Sequence, residues 1–242
     1  MWGPASSPPP LESGRVHVWR FRLDVDDSRL EACRALLTDG EHERAERFAF
    51  DEPRRRFIVA RGTLRALLSP YVDLPARDLV FAYGDQGKPR LVSPNTDIRF
   101  NLSHSGGRIL LACARDRHVG VDVERTRRDV DWGAVSERFF EGREREALLG
   151  LPATARRAAF FRCWTRKEAF MKATGKGVAY GLSSFSVTLA PDQAADLVWL
   201  AEGDPQDWGL ADADPDEEHA GAVCATGRDW RPVYLTGDSI TE

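Results

Sequence analysis

Hydrophobic positions along the chain follow two different periods. From Val16 to Val25 the sequence VHVWRFRLDV alternates apolar and polar residues. This predicts a half-buried β-strand, because neighbouring side chains lie on opposite faces of a strand. Similar alternation, or a short continuous apolar run, predicts further strands at residues 79–83, 98–102, 109–114, 119–124, 183–189, 196–201 and 219–226, and another at the end of GDQGKPRL.

Helical spacing of apolar residues marks other segments. We expect helices at residues 28–37, 41–50, 132–140 and from residue 141 onward. An apolar stripe predicts a long helix after residue 50, and it consists of Phe57, Leu64, Leu67 and Leu68. Good helix formers from Ala158 to Ala173, followed by Gly175, predict a central helix.

The two ends of the chain lack these periods. The N-terminal sequence MWGPASSPPPLESG is rich in Pro and Ser, so we expect a flexible lead-in before about Arg15. It has neither a basic region nor an apolar core typical of a secretory signal. We expect an acidic surface loop at residues 205–218 and a weakly ordered tail at RPVYLTGDSITE.

Composition describes an ordinary globular protein. Hydrophobic residues make up 42% and charged residues 30%, and no apolar run approaches the length of a membrane span. The net charge of −4 argues against a general nucleic-acid binder but allows a local basic pocket. The four cysteines show neither zinc-site nor disulfide spacing, so we expect reduced thiols and a cytoplasmic location.

Lysine is concentrated in the central helix. The chain has only four lysines among its 34 basic residues, and three of them lie between residues 160 and 177. In a helix Trp164, Glu168 and Lys172 share one face, with Lys167 beside it. The alternative is an ordinary ion pair between Glu168 and Lys172 on a solvated helix, which the helix alone would favour.

Two other motifs carry candidate chemistry. In a strand Asp122 and Glu124 lie on the same face, where they repel each other unless a cation such as Mg²⁺ lies between them. The alternative is a solvent-facing strand end. The small and polar residues of SHSGG, which include Ser103 and His104, predict a turn that a phosphate can approach, although a plain hairpin turn has the same pattern.

Seven arginines between residues 44 and 65 give one or two further candidates for phosphate binding, because a guanidinium matches a phosphate with two hydrogen bonds. Most of the seven are expected to be solvated. They are Arg44, Arg47, Arg54, Arg55, Arg56, Arg61 and Arg65.

The order and spacing of four motifs resemble those of the 4′-phosphopantetheinyl transferases of the surfactin-synthetase-activating type. The motifs are GKPRL at 87–91, NLSHSGG at 101–107, VGVDVE at 119–124 and WTRKEAFMKATGKG at 164–177. The resemblance spans roughly residues 45–190, and the AVCA sequence at 222–225 also fits. It implies transfer of phosphopantetheine from coenzyme A to a serine of an apo acyl or peptidyl carrier protein, which leaves adenosine 3′,5′-bisphosphate.

The resemblance also implies site residues. It assigns Mg²⁺ to Asp122, Glu124 and Glu168, and it makes Glu168 and Lys172 the catalytic pair, with Glu168 either a base or only a ligand. Family members often carry lysines for the 3′-phosphate where this chain has Glu41, His42 and Arg44, so arginines are the expected substitutes. The predicted coenzyme A contacts are Arg47, Arg56, Lys88, Ser103, His104, Lys167 and Lys172.

The fold implied by the resemblance is α/β of the α+β kind, with two similar halves in a pseudo-twofold arrangement. Each half has a mainly antiparallel sheet packed by helices, and coenzyme A lies in the cleft between them. We expect the halves at residues 15–118 and 119–242 and a monomer that binds neither nucleic acid nor membrane. For carrier docking the candidates are Arg125, Arg127, Arg128, Trp132, Phe139 and Phe140.

Two other functional classes compete with this interpretation. A different Mg²⁺-dependent phosphate or nucleotide enzyme would use the same residue types, but the chain lacks GxxxxGK[ST] and GxGxxG sequences. A non-catalytic coenzyme A binding module would tolerate loss of a metal carboxylate, whereas all three are present.

Overall fold

The computed structural model describes residues 1–84, 89–94, 96–127 and 129–238, apart from the side chains of Val178 and Ala179. Lys88 and Arg128 therefore lie outside the described residues. Within those ranges no helix combines the length and apolar character that a membrane crossing requires.

The first half of the chain supplies four strands of a five-stranded sheet and the three helices that cover it. The helices are α1 (Asp27–Ala35), α2 (Asp39–Glu46) and α3 (Asp51–Val72), and the sheet has the order β1 (Gly3–Pro4), β12 (Arg231–Thr236), β2 (Arg15–Arg22), β6 (Arg108–Arg115) and β5 (Ile98–Ser105). Trp19 and Phe21 of β2 pack against Ile58 and Leu67 of α3 in one hydrophobic core. A small hairpin of β3 (Val80–Tyr83) and β4 (Pro89–Ser93) lies at its side.

The second half builds a three-stranded antiparallel sheet with the order β10 (Trp208–Asp212), β11 (His219–Thr226) and β7 (Val119–Arg125). Its helices are α4 (Trp132–Phe139), α5 (Gly142–Gly150) and α6 (Ala153–Thr174), and a separate hairpin joins β8 (Phe185–Val187) to β9 (Leu197–Leu200). Helix α6 lies directly on β7 at Gly120, where a Cβ atom would overlap with the backbone of Ala169 and Ala173.

The two sheets meet along β5 and β7, the strands at their facing edges. A third hydrophobic cluster joins them, with Val18 and Leu110 from the first sheet and Val121 and Val223 from the second. The predicted fold class, α+β in two halves with mainly antiparallel sheets packed by helices, is confirmed.

Several boundaries differ from the sequence predictions. The tail prediction is wrong for Arg231–Thr236, which forms β12 and pairs in parallel with β2. The second predicted half therefore gives a strand to the sheet of the first. Gly3–Pro4 in the N-terminal lead-in pairs with β12, and the predicted acidic loop contains β10. The turn predicted at Ser103 begins later, because β5 continues to Ser105.

Candidate active site

A row of polar side chains on β5 bridges the two sheets. Asn101 Oδ1 accepts a hydrogen bond from the backbone N–H of Val121 at 2.8 Å. Ser103 Oγ donates to Asp122 Oδ1 at 2.9 Å, and Ser105 Oγ donates to Glu124 Oε2 at 2.8 Å. Residues two apart on a strand share one face, so the alternating sequence N-L-S-H-S aims all three side chains at β7.

The sequence analysis gave Ser103 a role in coenzyme A binding but missed Asn101 and Ser105. Their signal was present in the chain, because polar residues alternate from position 101 to 105. That segment was interpreted as the beginning of a turn. Had the segment been predicted as a strand at the edge of a sheet, its alternate polar residues would have indicated that their side chains bond a second sheet.

We call the contact between β5 and β7 the seam, and Asp122 lies at its centre. Its Oδ1 accepts hydrogen bonds from Ser103 Oγ and from Lys172 Nζ, the latter at 2.6 Å. Lys172 Nζ also donates to Ser103 Oγ at 2.9 Å, so the three side chains form a closed triangle. Asp122 Oδ2 is buried and accepts no hydrogen bond from any described residue, which is costly for a carboxylate oxygen.

Glu168 faces the same cluster from α6, one turn before Lys172. Burial and the negative charges of Asp122 and Glu124 raise the pKa of the Glu168 carboxyl to about 7, although Lys172 opposes that shift. Of the four residues predicted to converge, Lys172 contacts Asp122 directly, and the pKa of Glu168 responds to the charges of Asp122, Glu124 and Lys172. Helix periodicity and strand alternation supply the two faces, and the packing of α6 on β7 at Gly120 brings them together.

The donor atoms of this cluster are of the kind found in magnesium sites. All three carboxylates supply the oxygen donors that Mg²⁺ prefers. A bound cation would satisfy Asp122 Oδ2 and offset the negative charges that, together with burial, raise the pKa of Glu168. Across the described ranges, however, no three His, Cys, Asp or Glu side chains form a group that could hold a metal as they stand. The residues thus fit the ion by donor chemistry, while Lys172 supplies the cation next to Asp122.

A cavity of about 740 Å³ opens on one side of the cluster. Its basic lining residues are Arg44, Arg56, His104, Arg125 and Arg127, and its apolar ones include Phe48 and Phe57. Arg44 stacks over the ring of Phe57, with its guanidinium 5.2 Å from the ring centre. Burial, together with the neighbouring cations Lys172 and Arg56, lowers the pKa of His104, so the imidazole is largely neutral at pH 7.

A second cavity of about 430 Å³ lies toward the other end of the same strands. It is lined by residues of β4, β5 and β7 and by the end of α6. The lining includes the apolar Leu91, Phe100 and Val119 together with the polar Arg90, Arg99 and His118. The cluster around Asp122 is on the strand segments between the two cavities, because Ser103 follows Phe100 on β5 and Asp122 follows Val119 on β7.

Two predicted contacts do not reach this cleft. Lys167 is completely buried, and its Nζ donates to both carboxylate oxygens of Glu144 and to the carbonyl oxygen of Phe185, each at 2.7 Å. With three donors in use inside the core, it cannot contact coenzyme A in this conformation. Arg47 is 76% exposed, pairs with Glu43 at 3.8 Å and is not among the described residues that line the basic cavity.

The comparisons with known proteins concern both halves of the chain. A family model described as 4′-phosphopantetheinyl transferase superfamily matches residues 118–224, and one described as 4′-phosphopantetheinyl transferase, N-terminal, matches residues 24–116. The chain is 38% identical to the 4′-phosphopantetheinyl transferase HetI of Nostoc sp., and the match covers 96% of this chain and 97% of that relative. The 4′-phosphopantetheinyl transferase Sfp of Bacillus subtilis is 29% identical, with 88% of this chain and 92% of Sfp covered.

Similarity to solved structures is weaker. The holo-[acyl-carrier-protein] synthase AcpS of Thermotoga maritima aligns with a TM-score of 0.38 and 21% identity, over 47% of this chain and 64% of that one. An alignment at this level carries no argument about this chain. The match to HetI covers nearly the full length of both proteins and agrees with the four sequence motifs. The chain therefore belongs to the 4′-phosphopantetheinyl transferase family.

Proposed function

We propose that the cleft along β5, β7 and α6 binds coenzyme A and is where this transferase moves 4′-phosphopantetheine to a serine of an apo carrier protein. The main support is the cluster of Asp122, Ser103 and Lys172, in which a cation and an unsatisfied carboxylate oxygen lie on the strand segments between two cavities, one basic and one of mixed lining. Coenzyme A has the matching distribution, with phosphates at one end and a less polar pantetheine arm at the other.

The two cavities give an orientation for the donor. We place the 3′-phosphate in the basic cavity near Arg44, Arg56 and His104, and the pantetheine arm in the second cavity along its apolar wall at Phe100 and Ala173. The pyrophosphate then lies beside Lys172, whose 28% exposed side chain provides a fixed positive charge. Arg44 thus replaces Arg47 among the proposed 3′-phosphate contacts.

Asp122, Glu124 and Glu168 are the proposed ligands of Mg²⁺. A bound Mg²⁺ would neutralise charge on the pyrophosphate, which is the main requirement of phosphoryl transfer besides positioning. Ser103 and Ser105 hold two of these carboxylates in place through their hydroxyl groups.

The proton of the attacking serine needs an acceptor. In the proposed reaction the serine oxygen forms a bond to the phosphorus that bears pantetheine, the bond from that phosphorus to the bridging oxygen breaks, and adenosine 3′,5′-bisphosphate leaves. Glu168 faces the cluster and can accept the serine proton directly or through a water molecule. Glu168→Gln keeps the shape, so we expect turnover to fall by about 10²- to 10⁴-fold. Full turnover by this variant would remove Glu168 as base and as essential charged ligand.

The carrier protein is proposed to dock beside the basic cavity. Arg127 is 74% exposed at its rim and pairs with Glu218 at 3.2 Å, so it offers a cation to an acidic helix of the carrier. The predicted docking residue Phe140 is buried in the core and is withdrawn from the proposal. Arg127→Glu should raise the Michaelis constant for the carrier at low salt, and an unchanged constant would exclude Arg127 from the interface.

One assay tests the transfer itself. The protein is incubated with coenzyme A, Mg²⁺ and an apo carrier protein, and the carrier is examined by intact mass spectrometry. A gain equal to one phosphopantetheine group is the expected result. Binding of coenzyme A without any mass gain would instead indicate the non-catalytic binding module. A separate incubation with ATP in place of coenzyme A tests the other phosphate enzyme, which would add the mass of a phosphate to its substrate.

A further inference from the structure

A second ionic cluster joins the two halves next to the cleft, and it is centred on Asp216. Arg108 Nε donates to Asp216 Oδ2 at 2.7 Å, and His219 Nδ1 lies 2.7 Å from Asp216 Oδ1. The backbone N–H of Glu218 also donates to Oδ1, at 3.0 Å. Both oxygens of one carboxylate are therefore bonded to separate parts of the chain.

The partners of Asp216 belong to different sheets. Arg108 is the first residue of β6 and pairs with Ser105 across the β5–β6 hairpin, whereas His219 is the first residue of β11 and pairs with Arg125 of β7. Ser105 bonds Glu124 through its hydroxyl, and its Oγ accepts the backbone N–H of Arg125 at 3.2 Å. Two partners of Asp216 are therefore strand neighbours of Ser105 and of Arg125, the residue that follows Glu124.

His219 also limits what can occupy the hairpin turn. It is only 8% exposed, and a Cβ atom on Gly106 would lie 3.1 Å from its Nε2 and 3.2 Å from Cδ of Arg125. Gly106 has a φ of +58°, a backbone conformation that favours glycine for a second reason. The turn is therefore packed directly onto His219, and movement of this ring would move the hairpin tip.

We propose that Asp216, Arg108 and His219 form an inter-sheet latch that positions Ser105 and Glu124 for coenzyme A and its metal. The three are positioning residues, because none is placed against the donor. The inference rests on the proposed binding of coenzyme A in the cleft. Residues that orient metal ligands from behind typically contribute 10- to 100-fold in affinity or activity.

The chain offers a matched control at the opposite end of the same hairpin. Arg115, the last residue of β6, pairs with Asp97 through Nη1 at 2.6 and 2.7 Å, so it makes an ion pair of similar geometry away from Ser105. Arg108→Gln and Asp216→Asn break the latch, and Arg115→Gln breaks the control pair. His219→Ala removes the ring, while His219→Asn keeps a nitrogen donor close to the position of Nδ1.

Three quantities are measured for each variant in the full chain with Mg²⁺: the dissociation constant of coenzyme A by calorimetry, the kinetic constants and the unfolding temperature. We expect Arg108→Gln, Asp216→Asn and His219→Ala to weaken coenzyme A binding about 10- to 100-fold. His219→Asn should bind coenzyme A more tightly than His219→Ala and recover most of the affinity that the alanine variant loses. Because Arg108 acts on the latch through Asp216, the double variant should lose no more than Asp216→Asn alone. Arg115→Gln should bind coenzyme A like the wild type even where its unfolding temperature falls.

Two results would overturn the latch. One is coenzyme A binding within about twofold of wild type in the Arg108 and Asp216 variants, and the other is an equal loss in Arg115→Gln. Failure of the proposed function looks different, because then the wild type itself binds no coenzyme A, or Arg56→Gln and His104→Ala in the cleft leave binding unchanged. If Asp216→Asn does not fold, the comparison of His219→Ala with His219→Asn decides the question.

Discussion

Helix α6 carries two lysines five residues apart that have opposite surroundings. Lys167 is completely buried, and its partner Glu144 has a side chain only 1% exposed. Every hydrogen bond that Lys167 can donate is used inside the core, and its ammonium lies 4.1 Å from the centre of the Phe185 ring. Glu144 is equally well satisfied, because it also accepts the backbone N–H groups of Val187 and Glu141.

Lys172 occupies the other kind of environment. Its side chain is 28% exposed and contacts Asp122, whose own side chain is 5% exposed. Asp122 keeps one buried oxygen without a hydrogen bond from the described residues, and the carboxylate of Glu168 lies close enough for its pKa to be raised. The first pair is complete, whereas the second leaves one carboxylate oxygen unsatisfied among the described residues.

The two lysines differ in how many hydrogen-bonding groups of their ion pairs remain unsatisfied, and this difference indicates the role of each pair. A buried pair with every donor and acceptor used stabilises one conformation, and a ligand has nothing to add to it. A pair that keeps a buried, unsatisfied oxygen costs free energy in the unbound protein, and a bound ion can remove that cost. We therefore expect substitutions at Lys167 to act on stability and substitutions at Lys172 to act on turnover.

The largest expected effect is on stability. Lys167→Met leaves the buried Glu144 carboxylate without its cation, so the free energy of unfolding should fall by about 3–5 kcal/mol. Urea denaturation measures this loss. The double variant Lys167→Met/Glu144→Leu should recover much of it, because no buried charge remains. A stable Lys167→Met protein with weakened coenzyme A binding would reverse the assignment.

The second effect is on catalysis. Asp122→Asn should lower turnover by about 10²- to 10³-fold, because it weakens the proposed metal site and removes the charge that orients Lys172. Its unfolding free energy should change little, since it also removes a repulsion with Glu168. Asp212→Asn is the control: Asp212 bonds the buried Arg166 twice at 2.8 Å, away from the cleft. That variant should lose stability and keep its turnover, and the opposite pattern would contradict the comparison.

A smaller effect is expected at Lys172 itself. Lys172→Met makes the same chemical change as Lys167→Met, on the same helix, but should lower turnover about 10²-fold while destabilising the protein less. Steady-state kinetics together with urea denaturation separates the two outcomes. His104→Ala should lose less in turnover than Lys172→Met, because a largely neutral imidazole supplies no fixed cation. Equal losses confined to coenzyme A binding would argue against a charge role for Lys172.

The smallest effect sharpens the geometry of the second pair. Ser103→Ala removes one hydrogen bond to Asp122 but leaves Lys172 in place, so about 1 kcal/mol of stability should be lost. Turnover should fall less than in Asp122→Asn. A loss as large as that of Asp122→Asn would show that Ser103 contacts the reacting groups rather than only orienting the carboxylate.

Much of the site could be predicted because its signals are local. Asp122 and Glu124 share a face for a reason internal to any strand, and Glu168 and Lys172 do so for a reason internal to any helix. The motif order then predicted that the two faces meet, and the structure brings them together. The predicted strands and helices were also right in kind, since each depends on a period read over a few residues.

The predictions that were wrong also share a cause, because in each case a neighbouring strand decides the structure. The prediction of a turn at Ser103 and Ser105 was wrong. Both residues belong to β5, and their hydroxyl groups donate hydrogen bonds to carboxylates of the neighbouring strand β7. The tail at Arg231–Thr236 is a strand only because β1 and β2 lie on either side of it, and no local period shows that.

By itself, the sequence determined the family, the kinds of secondary structure and the faces on which the candidate catalytic side chains lie. Only the tertiary structure decided that Lys167 belongs to the core, because its partner Glu144 is 23 residues away on another helix. The same holds for the latch, in which Arg108 and Asp216 are 108 residues apart. Side-chain direction follows from the local backbone, whereas the partner of a charge depends on which distant segment the fold packs against it.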